Sequence, residues 1–494
     1  MFTVTSFSVT TRVMAFIFKI YLSRTLGAEV IGLYHIALSV YGLLTCITAS
    51  GIPLTLSRKT SEYTVRGKER EIFSIIASSM IVGISCSIFI ILAIFIFRGN
   101  LHFIFKDIRA IPIFMIMLPA LISTTVYSIL RGWFWGKKDF KSFSFGEFIE
   151  EVFRVIFTVL LAGGIISGLK GEIGLAIAFT VSDVFCAVVM LYMFRKKGGR
   201  LFKPREYKAL VKSSSPITLM RITTGVVSSL TAIIIPIKLA TYGMSVHDAT
   251  AAFGRVIGLA FPVIMIPLSL TSSITIVLIP EVSGQNAIGN MRGIAGKIDK
   301  AISVSVAITG LFLGAFVFFG REIGIILFND VIAGDFIKAG AWMMILICIC
   351  QITSSVLNSL AMEMTSFLNF LLGTVVMVFM IYFLPKYIGI YALILAYGSY
   401  YLICLIFNVQ SLNKKKVLDL KFIKHCVLIV IFAIPAAYIS RTVFELIPYS
   451  VPMIISTFIS LGFMSAVYLV LLLVSGLIDI KVLFIKGMKT SIYR

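Results

Sequence analysis

Acidic residues are scarce. The 494 residues hold 22 Asp and Glu against 44 Lys and Arg, and charged residues of both signs make up only 13% of the chain. Soluble domains carry about 25%, so a single water-soluble globular chain is excluded. Histidine is rarer still. His35, His102, His247 and His425 are dispersed, which excludes a histidine-rich metal cluster. The seven cysteines show no ligand spacing, and Cys348-x-Cys350 is not a usual pair. They read as small buried hydrophobes, and neither a metal nor another cofactor is expected. Glycine-rich phosphate loops, His-Glu-x-x-His helices and Gly-x-Ser-x-Gly elbows are all missing. That leaves no basis for ATP hydrolysis or a nucleophilic enzyme, and the chain reads as a non-enzyme. A membrane glycosyltransferase would need an extramembrane catalytic region, and no polar stretch is large enough. A cleavable leader is not expected either, because Arg12 and Lys19 interrupt the first apolar segment.

What is abundant is apolar: 59% of the chain. Runs of about 20 apolar residues recur from end to end, continuous rather than alternating, which predicts membrane helices and not a barrel. The spans fall at 6–26, 32–57, 72–97, 109–135, 143–166 and 171–194, then at 212–241, 249–280, 295–320, 336–359, 362–385 and 387–411, and finally at 421–441 and 450–475. That is fourteen, in a pattern of six, six and two. The expected fold is an all-α integral membrane protein.

The net charge of +22 suggests nucleic acid at first sight, but topology explains it better, and no nucleic-acid partner is expected. Segments after even-numbered spans, with the tail, hold 29 of the 44 basic residues; the opposite-side segments hold nine. Basic loops face the cytoplasm. The expectation is a multi-pass protein of the cell membrane with both termini cytoplasmic. The most basic segment, 198–211 with its flanks, separates a first bundle (1–197) from a second (212–411), followed by two further helices and a cytoplasmic tail (412–494). The bundles echo each other weakly: Arg12 and Arg221 occupy similar positions, and the second and eighth spans both end in Ile-Pro. Internal repeats of this kind are a common transporter plan.

Charges within spans cost about 2.5–3.5 kcal/mol each and mark function by default. Arg12 and Lys19 share a face of the first helix, with no acid on that helix; snorkelling is the bland alternative. Arg221 and Arg255 lie on the seventh and eighth. The fifth carries Glu147, Glu150, Glu151 and Arg154, with Glu150 and Arg154 at pairing distance i,i+4, and Asp183 lies mid-way along the sixth. This second group reads as an ion-pair cluster or a gate. With the carboxylates gathered on helices 5 and 6, helices 1, 7 and 8 are left with a positive excess. A cavity of that sign suits an anionic ligand, and arginine matches phosphate oxygens bidentately. Pro53, Pro262 and Pro267, with Pro236, are expected to kink their helices. Trp133 and Trp135 read as interfacial anchors.

Several stretches are specific enough to carry a resemblance. LSRTLGAE, IGLY and GIPLTLSR in the first two helices, LRGWFWGKKDFKSFSFGEFIEEVFRVIF around the fifth, and AAFGRVIGLAFPVIMIPLSLTSSITIVLIPEVS in the eighth resemble the stage V sporulation protein B family. That family sits in the polysaccharide-exporter branch of the multidrug/oligosaccharidyl-lipid/polysaccharide superfamily, with the lipid II flippase a more distant relative. The resemblance covers most of residues 1–410.

It implies two six-helix bundles forming a V around a central cavity, and alternating access for an undecaprenyl-pyrophosphate-linked saccharide such as a peptidoglycan precursor, spore cortex synthesis being one setting. Carried over by position, Arg12 and Arg255 match arginines of the flippases. Two departures stand out: Lys19 replaces an acidic residue, and the second helix offers only His35 and Arg58 where the flippases have an arginine. Arg12, Lys19, Arg221 and Arg255 are then the expected substrate contacts. The expected partners are the anionic glycolipid, membrane lipids and cell-wall synthesis proteins. A cation-coupled multidrug antiporter of the same superfamily and a non-transporting scaffold for envelope synthesis are the alternatives.

Overall fold

The computed structural model describes residues 2–49, 51–163, 171–200, 202–204, 207–418, 421–448 and 450–476. Lys170, Arg205 and the basic tail residues Lys481, Lys486, Lys489 and Arg494 lie outside them. The described chain is α-helical, and its contacts gather it into two compact units, residues 1–258 and 259–494.

The first unit contains α1 (Phe2–Ala49), α2 (Ile52–Val65), α3 (Glu69–Ile96), α4 (Ala110–Met117), α5 (Ala120–Gly136), α6 (Phe140–Leu161), α7 (Gly171–Lys196), α8 (Tyr207–Thr241) and α9 (Val246–Phe253). The second contains α10 (Phe261–Ile264), α11 (Ile266–Ala287), α12 (Met291–Phe328), α13 (Val331–Gly340), α14 (Met343–Ser359), α15 (Glu363–Phe383), α16 (Pro385–Ile388), α17 (Tyr391–Lys414), α18 (Lys421–Leu446) and α19 (Met453–Val474). The units follow contacts rather than the sequence repeat, whose expected linker at 198–211 falls inside the first unit.

Among the described residues, ten helices are long and apolar enough to span a bilayer, or twelve if α4–α5 and α13–α14, bent by 47° and 50°, each count once. Two physical facts raise the reading to fourteen. Thr10–Val65 counts there as one span of 56 residues, about 84 Å of helix against a hydrocarbon core of about 30 Å. It turns at Gly27, whose φ of 78° is left-handed and open to glycine at little cost. The loop expected at 27–31 is therefore a single backbone break. The second fact is α6, whose 22 residues are long enough to span but carry five charges.

Other expected boundaries shift for identifiable reasons. The eighth span is not one helix: a π-helical turn, Gly254–Ala260, separates α9 from α10 and α11. Pro53, Pro262 and Pro267 occupy the first turns of α2, α10 and α11, where a missing N–H leaves nothing unpaired. Pro236 lies within α8 without ending it.

In the first unit, Leu56, Ile72, Ile76, Ile129, Leu130 and Phe134 form a core between α2, α3 and α5. Trp133 belongs to this core. It is 2% exposed and meets Phe194 edge-on at 4.9 Å, so it is a packing residue and not the interfacial anchor expected. α8 runs beside the second half of α1, where the Ser229 hydroxyl donates to the Ser39 carbonyl at 2.8 Å. α9 approaches α1 so closely that a Cβ on Gly32 would stand 2.1 Å from the Thr250 carbonyl oxygen. Residues 202–204 follow α3: the Ser74 hydroxyl donates to the Lys203 carbonyl at 2.8 Å, and Phe73 stacks on Phe202.

The second unit uses polar glue, as membrane bundles do. Asn408 donates to Ser354 at 2.8 Å and accepts from Asn369 at 2.8 Å, tying α14, α15 and α17. Tyr468 donates to the carbonyls of Ala307 and Ile429, fastening α19 to α12 and α18. Arg441 of α18 bonds Glu322 of α12 at 2.7 Å.

Candidate functional site

The charges of α6 fold into a network with α7 and α5. Arg154 bonds Glu150 at 2.7 Å and lies 3.5 Å from Glu151 and 3.8 Å from Asp183. The Asp183 carboxylate also accepts from the Thr124 hydroxyl of α5, which in turn bonds the hydroxyl of Tyr41 on α1 at 2.7 Å. The Arg154 guanidinium sits 5.7 Å from the Phe179 ring centroid. The structure thus brings Glu150, Glu151, Arg154 and Asp183 together. The Glu150–Arg154 spacing was visible along the chain, and Glu151 and Asp183 were expected in the same cluster.

Glu147 goes elsewhere. It pairs with Arg131 of α5 at 3.2 Å, and the Arg131 guanidinium lies 4.9 Å from the Phe143 ring centroid. Glu147 is also within electrostatic reach of Arg12, as Glu151 is of Lys19. This corrects the sequence arithmetic. The expected first span, 6–26, has no acid of its own, but α6 supplies the counter-charges, so Arg12 and Lys19 do not add to an unopposed positive set. Arg12, Lys19, Arg131 and Arg154 stand against Glu147, Glu150, Glu151 and Asp183, four charges of each sign.

Arg221 of α8 is different. It makes no ion pair among the described residues and lines a cavity of about 230 Å³ inside the first unit. The other lining residues include Thr45 and Cys46 of α1, Pro53 of α2, and Thr124, Ser128, Arg131 and Trp135 of α5. Hydroxyls and two arginines face a space with no carboxylate in its lining, an arrangement suited to an oxyanion. Arg12, Lys19 and Arg255 are not among the lining residues. Arg255 sits in the π-helical turn and is partly buried. A second hollow, about 500 Å³, opens between α3 and residues 202–203; it shares no residue with the first, and Glu71 offsets Arg70 and Lys203 there.

Sequence reading missed Thr124, Ser128, Arg131 and Trp135 as cavity residues. A signal was present: their spacing of four, three and four places them on one face of a helix. Arg131 was absorbed into the count of loop charges, and Trp135 into the interfacial belt.

A third cluster occupies the end of the first unit remote from the basic loops. Arg109 bonds Asp107 through Nε at 3.0 Å and Nη2 at 2.7 Å, and reaches Glu29 at 2.6 Å. Thr250 of α9 donates to Asp107 at 3.2 Å, and His247 bonds Glu29. Burial opposes the Asp107 charge, but the Arg109 bonds outweigh it and hold the carboxyl below its ordinary range. A depressed carboxylate contributes stability that is complete above its unfolded value and is lost as pH falls through the folded one. Asp107→Asn is therefore expected to lower thermal stability at pH 7 by about 2 kcal/mol. The difference from the wild type should begin to narrow only as pH falls below the ordinary aspartate value of about 3.9. Melting curves at pH 7 and below that value check both statements.

The helical plan and its buried charges define a polytopic α-helical membrane protein. Among solved structures, the chain superposes on the lipid II flippase MurJ in an inward closed conformation with a TM-score of 0.75, at 13% identity, covering 95% of this chain and 98% of that one. An inward-facing multidrug resistance MATE family transporter of the MOP superfamily gives 0.68, at 13% identity, covering 82% and 95%. At these identities the likeness establishes the fold. Residues 1–284 match the family described as polysaccharide biosynthesis protein, and the chain belongs to that family. It is 22% identical over 487 residues to stage V sporulation protein B of Bacillus subtilis (strain 168), covering 95% of this chain and 93% of the relative.

Proposed function

We propose that this chain carries an undecaprenyl-pyrophosphate-linked saccharide, in the first instance a peptidoglycan precursor, across the cell membrane by alternating access and without chemistry of its own. Its basic loops and both termini would face the cytoplasm. The observation that carries the reading is the cavity lined by Arg221, Arg131 and three hydroxyl-bearing side chains with no acid among them. Its size suits a diphosphate, leaving saccharide and lipid to occupy space outside it. Arg221 makes the first contact in this scheme. Arg12, Lys19 and Arg255 extend the cationic path, with Glu147 and Glu151 compensating the first two while no substrate is bound.

The Glu150–Glu151–Arg154–Asp183 cluster serves as the gate, reporting on the cavity through Thr124. Residues 1–197 and 212–411 act as the two rocking repeats, and the breaks at Pro53, Pro262 and Pro267 give them bending points. An inside-negative potential favours outward movement of an anion by about 2.3 kcal/mol per charge per 100 mV. A cation antiporter would need an acid open to its cavity, whereas Asp183 is engaged by Thr124 and Arg154. Extraction of lipid-linked saccharides from cells lacking the chain tests the assignment. The expected result is accumulation of one polyprenyl-pyrophosphate glycolipid on the inner side. Unchanged pools of every such lipid would contradict it.

A further inference from the structure

Arg131 occupies two environments at once. It lines the cavity with Arg221, and it pairs with Glu147 through a single nitrogen, Nη2, at 3.2 Å. Neither partner is sealed in: the side chains are 39% and 33% exposed, so the pair can open without stripping a buried charge of all its contacts. Phe143, stacked against the guanidinium at 4.9 Å, supports its plane whichever anion it faces. A released Glu147 stays within electrostatic reach of Arg12. Thr124, Ser128, Arg131 and Trp135 present one face of α5 to the same space, so a ligand entering it meets Arg131 directly.

We propose that Arg131 exchanges partners, leaving Glu147 for an oxygen of the incoming diphosphate, and that Glu147 is an internal competitor that sets how tightly the diphosphate is held. Arg131 and Arg221 together then read a diphosphate, where either alone would suffice for a monophosphate. This inference rests on the diphosphate reading of the cavity, and it adds a residue and a competition that reading does not contain. Competition has value in a carrier: a headgroup held too firmly would not leave on the far side. An anion of the protein that returns to Arg131 helps to displace it.

The test uses the detergent-solubilised full chain and two soluble probes, farnesyl diphosphate and farnesyl monophosphate. Glu147→Gln is expected to tighten farnesyl diphosphate about fivefold, the loss of one partly exposed competing pair. A gain of affinity cannot come from misfolding. Arg131→Gln is expected to weaken the diphosphate about tenfold and the monophosphate much less. The double variant should bind like Arg131→Gln alone, since removing the competitor matters only while Arg131 is present. Unchanged or weaker binding by Glu147→Gln, with Arg221→Gln still weakening the probe, would overturn the exchange and leave the diphosphate site standing. Equal binding by the wild type and Arg221→Gln, or no saturable binding by the wild type, would overturn both.

Discussion

Arg221→Glu is expected to abolish translocation while leaving the amount of folded protein unchanged. Arg221 lines the cavity and is exposed to it, so the substitution removes no buried partner. It acts on the ligand. At a separation of about 6 Å and an effective dielectric of about 20, one charge pair is worth about 3 kcal/mol. Converting attraction to repulsion doubles that, and even half of it lowers occupancy by more than about 100-fold. Arg221→Lys keeps the charge but loses the bidentate fork, and should retain part of the activity. Transport rates for the three proteins at matched membrane levels check the ordering: wild type, then lysine, then glutamate at background. Equal rates for wild type and glutamate would remove Arg221 from the site.

The second large effect is on stability. Arg154 is the common partner of Glu150, Glu151 and Asp183, and Arg154→Ala leaves these three carboxylates in an apolar helical bundle without their shared ion-pair partner, with Lys19 within electrostatic reach of Glu151. Removing one side of a buried ion pair costs about 3–5 kcal/mol, because the remaining charge stays uncompensated. Loss of thermal stability of that order is expected, with sharply reduced yield from membranes. Neutralising the survivors should reverse it. The triple variant Arg154→Ala, Glu151→Gln, Asp183→Asn is expected to melt closer to the wild type than Arg154→Ala does. If the single variant melted like the wild type, the network would be incidental to the fold. If the triple variant melted lower still, packing around the guanidinium and not charge would be what matters.

The contrast between these two residues shows what a lone sequence makes legible. Span number and type were legible because lipid demands about 20 apolar residues per helix whatever the neighbours are. Glu150 and Arg154 were legible as a pair because they lie one turn apart on the same helix. The pairing of Arg131 with Glu147, and the facing of Arg12 to Glu147 and Lys19 to Glu151, joins separate helices, and no spacing rule reaches across them. That is why helix 1 looked like an unopposed cation. Gly27 was hidden for a different reason: a span boundary made by one left-handed glycine needs no polar loop to announce it. Trp133 misled because aromatic residues beside basic ones fit a membrane interface, while its burial against Phe194 depends on where α7 lies. The proline breaks were legible as breaks, but not the π-helical turn between α9 and α10.

Direct transfer of the headgroup tests the central claim best. The full chain would be reconstituted into sealed vesicles holding a fluorescent undecaprenyl-pyrophosphate saccharide, with an imposed potential, and headgroup exposure followed by an impermeant quencher. The wild-type chain should bring the protected pool to the quencher far faster than protein-free vesicles do, and Arg221→Glu should not. Folded wild-type protein that moves the glycolipid no faster than bare lipid would contradict the account.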